Sequence, residues 1–288
     1  MKRIILHTLL YIGCAATAPA INPAQVRYHD EANDTTRLTN LLIEAHNRHF
    51  ADAGAAVEWF AMQFLDKPYV AHTLEGDPEM LTVDIDRLDC TTYVETVLAL
   101  TLTERENRQS WRDFIYNLER IRYRNGRLDG YPSRLHYNSD WVVDNTHRGN
   151  LIDVTNRFPR HNYTVKTIDF MSANADKYTA LADSATLARI KDTELKLRNH
   201  RFPYIKTIDL DRKETKQAFR TGDIIGFTTK IPNLDTTHMG IIIMRDGEPY
   251  VIHASMSAGK VTLTTRPLAS FVKNNRSMTG VRVLRVAE

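Results

Sequence analysis

Apolar positions recur at helical spacing through the first half of the chain and alternate along short strands in the last quarter. Leu41, Leu42 and Ala45, then Val57, Phe60, Ala61 and Phe64, predict one or two helices between Thr39 and Phe64. Val94, Val97 and Leu98 give one apolar face to a helix over Thr91 to Leu102. Trp111, Phe114, Ile115, Leu118 and Ile121 repeat the pattern over Ser110 to Tyr123. Asn22 to Leu38 is polar and reads as an extended lead-in. Lys67 to Arg87, with Pro68, Gly76 and Pro78, reads as a loop, and Arg134 to Asn150 as irregular. Leu151 to Phe158 fits a strand, and Ala175 to Asn199 contains helical runs. From Gly222 the texture changes to short apolar runs: Asp223 to Phe227, His238 to Met244, Tyr250 to Ser255, Val261 to Thr265 and Val281 to Val286. Asp246-Gly247, between the second and third of these, is a hairpin signal. Helices followed by hairpin-linked strands predict an α+β fold with an antiparallel sheet.

The first residues change that picture only at the edge. Lys2 and Arg3 precede an apolar run from Ile4 to Ala16 that is too short to span a bilayer, and Ala18-Pro19-Ala20 offers a small-residue cleavage site. Residues 1–20 are therefore expected to be a signal peptide, and 21–288 a single catalytic domain in the periplasm or outside the cell. A second reading uses Cys14 as a lipid attachment point. No later stretch has the length and apolarity of a transmembrane helix. Without Lys2 and Arg3, 36 basic residues face 35 acidic ones. That balance argues against nucleic acid as a main partner.

With the export segment removed, Cys90 is the sole cysteine. It is a buried small residue, half of an intermolecular bridge or a reactive thiol. Its place at the start of a helix favours the last, since free N–H groups and the positive end of the dipole favour a thiolate. A base for it is at hand on the hairpin. Alternation puts His238, Gly240 and Ile242 on one strand face. A turn centred on Asp246-Gly247 sets His253 opposite Gly240, diagonal to His238 on the same face. One imidazole then takes the thiol proton and the other orients the first. Asp235, just before the strand, is the alternative orienter or a substrate contact. Zinc held by His136, His147 and His161 is the rival chemistry, but these lack metal-ligand spacing. No cofactor is expected.

Asp89-Cys90 opening a helix, His238-Met239-Gly240-Ile241 on a strand and Ile252-His253-Ala254-Ser255 on the next resemble the papain-like NlpC-type cell-wall cysteine hydrolases. The resemblance implies a Cys90, His238, His253 triad and a tyrosine, Tyr69 of Pro68-Tyr69-Val70, beside the site. Together with Leu88 to Glu95, Ser133 to Tyr137 and Asp140-Trp141, these motifs resemble an exported branch of N-acetylmuramoyl-L-alanine amidases. That implies cleavage between muramic acid and L-alanine in peptidoglycan fragments, anhydro-muropeptides in particular. The superfamily's Asp-Cys-Ser-Gly stands here as Asp89-Cys90-Thr91-Thr92. This departure alters a site for a free peptide amine and favours the amidase branch. A γ-D-glutamyl endopeptidase on the same scaffold and a non-catalytic muropeptide-binding protein are the alternatives. Asp89 and the loop residues Arg134, His136, Tyr137, Asp140 and Trp141 are the expected substrate contacts. The loop offers aromatic faces for a sugar and cations for a carboxylate; equally, it could pin a helix to the sheet with Leu135 and Trp141 in the core.

Overall fold

The computed structural model describes residues 22–287; the expected signal peptide and Cys14 lie outside them. Strand β1 (Val26–Tyr28) pairs in parallel with β2 (Leu81–Val83). Helices α1 (Glu31–His46), α2 (Ala53–Met62), α3 (Cys90–Arg105), α4 (Trp111–Arg122) and α5 (Asn138–His147) make up the first half. The second half begins with β3 (Leu151–Asp153), β4 (His161–Lys166), the single turn α6 (Phe170–Ala173), α7 (Ser184–Lys196) and β5 (His200–Lys206). It ends with α8 (Lys213–Lys216), β6 (Ile224–Thr229), β7 (Thr236–Arg245), β8 (Glu248–Ser255), β9 (Lys260–Leu263), α9 (Leu268–Lys273) and β10 (Met278–Val286). The large sheet runs β4-β5-β10-β6-β7-β8-β9, with β3 also on β10. All its pairings are antiparallel, so the α+β expectation holds.

Period-2 alternation divides the sheet between two cores. Met239, Ile241, Ile243, Ile252 and Ala254 face α1 to α4 and bury Val94, Val97 and Leu98 of α3. Ile225, Phe227, Ile242, Val251, Val281 and Val283 face the other way, under Leu268 and Val272 of α9. Each fully buried side chain of this size stabilises by about 1.5–3 kcal/mol, so the strands are locked in register from both sides.

Four sequence expectations need correction. The lead-in from Asn22 holds β1 and most of the first turns of α1, which Asp30 caps by accepting from the Asn33 N–H at 3.1 Å. The loop from Lys67 contains β2. The irregular stretch Arg134 to Asn150 contains α5. The expected strand from Leu151 ends at Asp153 and gives way to a short 3-10 turn. Strands β4 and β5 were not anticipated at all. Among the described residues no helix is long and apolar enough to cross a membrane.

Candidate active site

The site begins where α3 begins. Asp89 Oδ1 accepts from the N–H groups of Thr91 at 3.0 Å and Thr92 at 2.8 Å. The Thr92 hydroxyl accepts from the Asp89 N–H at 2.9 Å, completing a capping box. Asp89 therefore fixes the helix start through Oδ1, and the Thr91-Thr92 departure includes the Thr92 hydroxyl that completes the box. This box makes Cys90 the first helical residue. Its thiol is not held as a thiolate. Burial pushes it up to about 11, and the charge of Asp89 adds to the rise. The Met239 N–H, the Thr91 hydroxyl and the Cys90 N–H act against them. Desolvation outweighs the helix-end effect on which the sequence expectation rested.

His238 and His253 are joined ring to ring, His238 Nε2 to His253 Nδ1, at 2.7 Å. The hairpin places them so. Asp246 (φ 51°) and Gly247 (φ 78°) form the tight turn, and the ladder runs from Arg245 opposite Glu248 to Ile241 opposite Ile252. Continued by one pair, it sets His253 opposite Gly240. A Cβ on Gly240 would lie 2.6 Å from Val251 Cγ1 and 3.3 Å from His253 Cβ, so only glycine fits there. Burial lowers the pKa of His238 to about 3, His253 adding to the fall, and that of His253 to about 4. Both rings are neutral at neutral pH. The His238 ring stacks on Phe227, and His253 meets Phe271 edge-on at 5.2 Å.

These contacts put both histidines on the α9 side of the sheet, whereas α3 packs on the other side. The sheet opens to let them approach. Pairing of β7 with β8 stops at Ile241 and Ile252, although β7 starts at Thr236 and β8 ends at Ser255. Thr237 is an extra residue against β6, between the pairs of Thr236 with Thr228 and His238 with Phe227. Bulges of this kind re-aim side chains beside functional sites. At the opening the Met239 N–H turns to the Cys90 sulfur. Cys90 and His238 line one pocket of about 130 Å³ with Leu135, His136, Asn138, Trp141, Asp235 and Thr236. Among the described residues no hydrogen bond joins Cys90 directly to His238. Tyr69 stands nearby; burial raises its phenol pKa, with Cys90 and Asp89 contributing.

The loop before α5 is mostly scaffold. Arg134 pairs with Glu75 at 3.0 Å and Glu79 at 3.5 Å. The Tyr137 hydroxyl donates to Glu194 at 2.6 Å and accepts from the Met171 N–H. Asp140 takes a bidentate pair from Arg124. These contacts give Arg134, Tyr137 and Asp140 a place in the scaffold; the buried Arg134 Nε has no hydrogen-bond partner among the described residues. His136 and Trp141 do reach the pocket. His136 donates through Nε2 to the Tyr131 carbonyl at 2.9 Å, and burial drops its pKa to about 3. Asp235 lines the pocket but, among the described residues, makes no hydrogen bond to His238, whose partner is His253. Its carboxylate accepts from the Ser139 and Thr236 N–H groups, capping α5 from a distant part of the chain. Asn138 was missed, since its place in the pocket depends on that remote cap. Among the described residues no three His, Cys, Asp or Glu side chains are grouped to hold a metal, so His136, His147 and His161 do not form a common site.

A profile of the AmiA-like family, described as N-acetylmuramoyl-L-alanine amidase-like, matches residues 59–280. A crystal structure of an N-acetylmuramoyl-L-alanine amidase from Bacteroides uniformis is 39% identical, with a TM-score of 0.78 over 82% of this chain and 99% of that one. A structure described as a putative xylanase from Bacteroides fragilis is 38% identical, with a TM-score of 0.74 over 79% and 99%. Protein LPG0564 from Legionella pneumophila shares the fold at 20% identity, TM-score 0.68, over 90% and 97%. No curated protein matches. With the profile spanning both Cys90 and the histidine hairpin, the chain belongs to the AmiA-like family of N-acetylmuramoyl-L-alanine amidase-like proteins.

Proposed function

We propose that this protein is an exported, cysteine-dependent N-acetylmuramoyl-L-alanine amidase of the papain-like NlpC type that acts on soluble peptidoglycan fragments, anhydro-muropeptides included. The observation that carries the reading is the 2.7 Å contact between His238 Nε2 and His253 Nδ1, with Cys90 lining the same pocket as His238. The contact occupies one nitrogen of His238 and leaves Nδ1 to serve the thiol. For Nδ1 to accept a proton, Nε2 must carry one and donate it to His253. With the proton on Nε2, the pair holds His238 in the tautomer that a general base requires.

The reaction follows from these protonation states. His238 takes the Cys90 proton as sulfur attacks the lactyl carbonyl carbon of the muramic acid. The carbonyl electrons move to oxygen, where the backbone N–H of Cys90 and the Tyr69 hydroxyl are the candidate donors. Collapse of this intermediate breaks the C–N bond, and His238 returns its proton to the departing L-alanine amine. Water, deprotonated by His238, then attacks the thioester and frees the carboxylate and Cys90.

The test gives purified protein a disaccharide-tetrapeptide. The expected products are peptide-free sugar and an intact peptide beginning with L-alanine, identified by mass spectrometry. Sugar that keeps L-Ala-D-Glu would assign the protein to the endopeptidases, and binding without turnover would make it a receptor. Glycosidic cleavage, as the name of the Bacteroides fragilis neighbour suggests, needs two facing carboxyl groups. Among the described residues the pocket is lined by one, Asp235, and its oxygens accept from backbone N–H groups.

A further inference from the structure

A second, larger cavity adjoins the Cys90 pocket, and Thr237 and His238 line both. Its volume is about 740 Å³, within the range of about 300–1,000 Å³ that encloses a small-molecule ligand. It lies on the α9 side of the sheet, between β8–β9 and the segment from Arg266 to Met278. Phe271 and Leu263 give it an apolar floor; Asn274 and Asn275 add amides. Among the described residues its lining carries one formally charged side chain, Arg266. Among the described residues Arg266 has neither an ion-pair partner nor a side-chain hydrogen bond, and it is exposed.

We propose that this cleft holds the peptide stem of the substrate and that Arg266 pairs with a stem carboxylate. The inference rests on the amidase reading and deepens it. Direction comes from the chemistry of the leaving group. The departing nitrogen must come within reach of His238, and His238 and Thr237 line both cavities, so the group attached to that nitrogen has a path into the larger one. Past His238 lies the large cleft; Cys90 lies on the other side, in the smaller pocket with Trp141 and Leu135. Charge agrees with direction. A stem that starts L-alanine-D-glutamate bears carboxylates, and among the described residues the one charged side chain lining the cleft is cationic. A neutral disaccharide has no use for it. The sugar and its lactyl carbonyl then belong to the Cys90 side.

The experiment separates this proposal from the amidase reading. Calorimetry on the Cys90→Ala protein measures binding of the free peptide L-Ala-D-Glu and of the same peptide with both carboxyl groups amidated. The charged peptide should bind at least about tenfold tighter, the scale of one charge-assisted contact. Adding Arg266→Ala should erase the difference, and Arg266→Lys should keep part of it. In the active protein, Arg266→Ala should raise KM for a muramoyl-L-Ala-D-Glu substrate about tenfold with kcat nearly unchanged. Equal binding of the two peptides, or a preference that survives Arg266→Ala, would overturn the subsite while leaving amidase turnover untouched. Binding of a peptide-free disaccharide that Arg266→Ala or Phe271→Ala abolishes would reverse the assignment of the two pockets. Loss of turnover in the wild-type protein, with the peptide preference intact, would count against the amidase reading alone.

Discussion

Burial keeps Cys90 protonated, near 11, and His238 neutral, near 3, so in the proposed mechanism sulfur attack and proton transfer proceed together. The same burial sets the pH dependence. His238 works only when deprotonated, and a group whose pKa is lowered stays deprotonated to lower pH. The acid limb of kcat/KM should therefore lie well below the ordinary imidazole value of about 6.5, toward the value of about 3 to which burial lowers His238. Brief assays on protein shown to be folded at each pH measure it; a limb near 6.5 would contradict neutral buried rings. Cys90→Ala should abolish turnover with little change in melting temperature, because the loss is one sulfur atom. Activity retained by that variant would refute the thiol mechanism. His253→Ala leaves the buried Nε2 of His238 without a partner and its tautomer unselected, and should lower kcat by about 10²-fold or more. A variant with full kcat would show that His253 is not the orienter.

At the scale of elements, the hairpin was legible because its signals are local. Asp246-Gly247 sets the turn, the turn sets the register, and the register sets His253 beside His238. Helix α3 was legible for the same reason, with cap, capping partner and apolar face all contiguous. Helix α5 was not, because its N-terminal N–H group is bonded by Asp235 and its Tyr137 N-cap makes no side-chain bond. β5 was hidden by Pro203, a residue that argues against an interior strand, and β4 is an edge strand with polar alternation. The cleft with Arg266 had no local signal, since β8, β9 and α9 meet there only after folding. The hairpin also yields a prediction about Gly240. A methyl there would press on Val251, the Ile252 carbonyl and His253. Gly240→Ala should cost roughly 1–3 kcal/mol of stability and lower kcat by displacing His253. Melting temperature and kcat measured together check this; a fall in neither would mean the split between β7 and β8 has room to spare.

Across the whole molecule, burial lowers the pKa of four imidazoles among the described residues, His200, His238 and His253 on the sheet and His136 on the loop before α5. His136, His238 and His253 have pKa values lowered to about 3, 3 and 4, each first of all by burial. Between their unfolded value of 6.5 and those folded values, the unfolded chain binds more protons than the native one. Their contribution is thus fully present above about 6.5 and is lost as pH falls through the window below it. Buried carboxyl groups work the other way. Burial raises the pKa values of Glu79 and Glu95, so the native state takes up their protons earlier as pH falls. The slope of stability against pH is the difference of the two sets, which makes the wild-type slope alone a poor measure of either. A comparison isolates one histidine. His136→Asn removes a ring that lies outside the proposed triad and leaves Glu79 and Glu95 in place. The variant should melt lower at pH 7, having lost the Nε2 bond to the Tyr131 carbonyl. It should then lose less melting temperature than the wild type between pH 7 and about 4.5. Parallel losses in the two proteins would mean that His136 is protonated as readily in the folded state as in the unfolded one, against the burial that surrounds it.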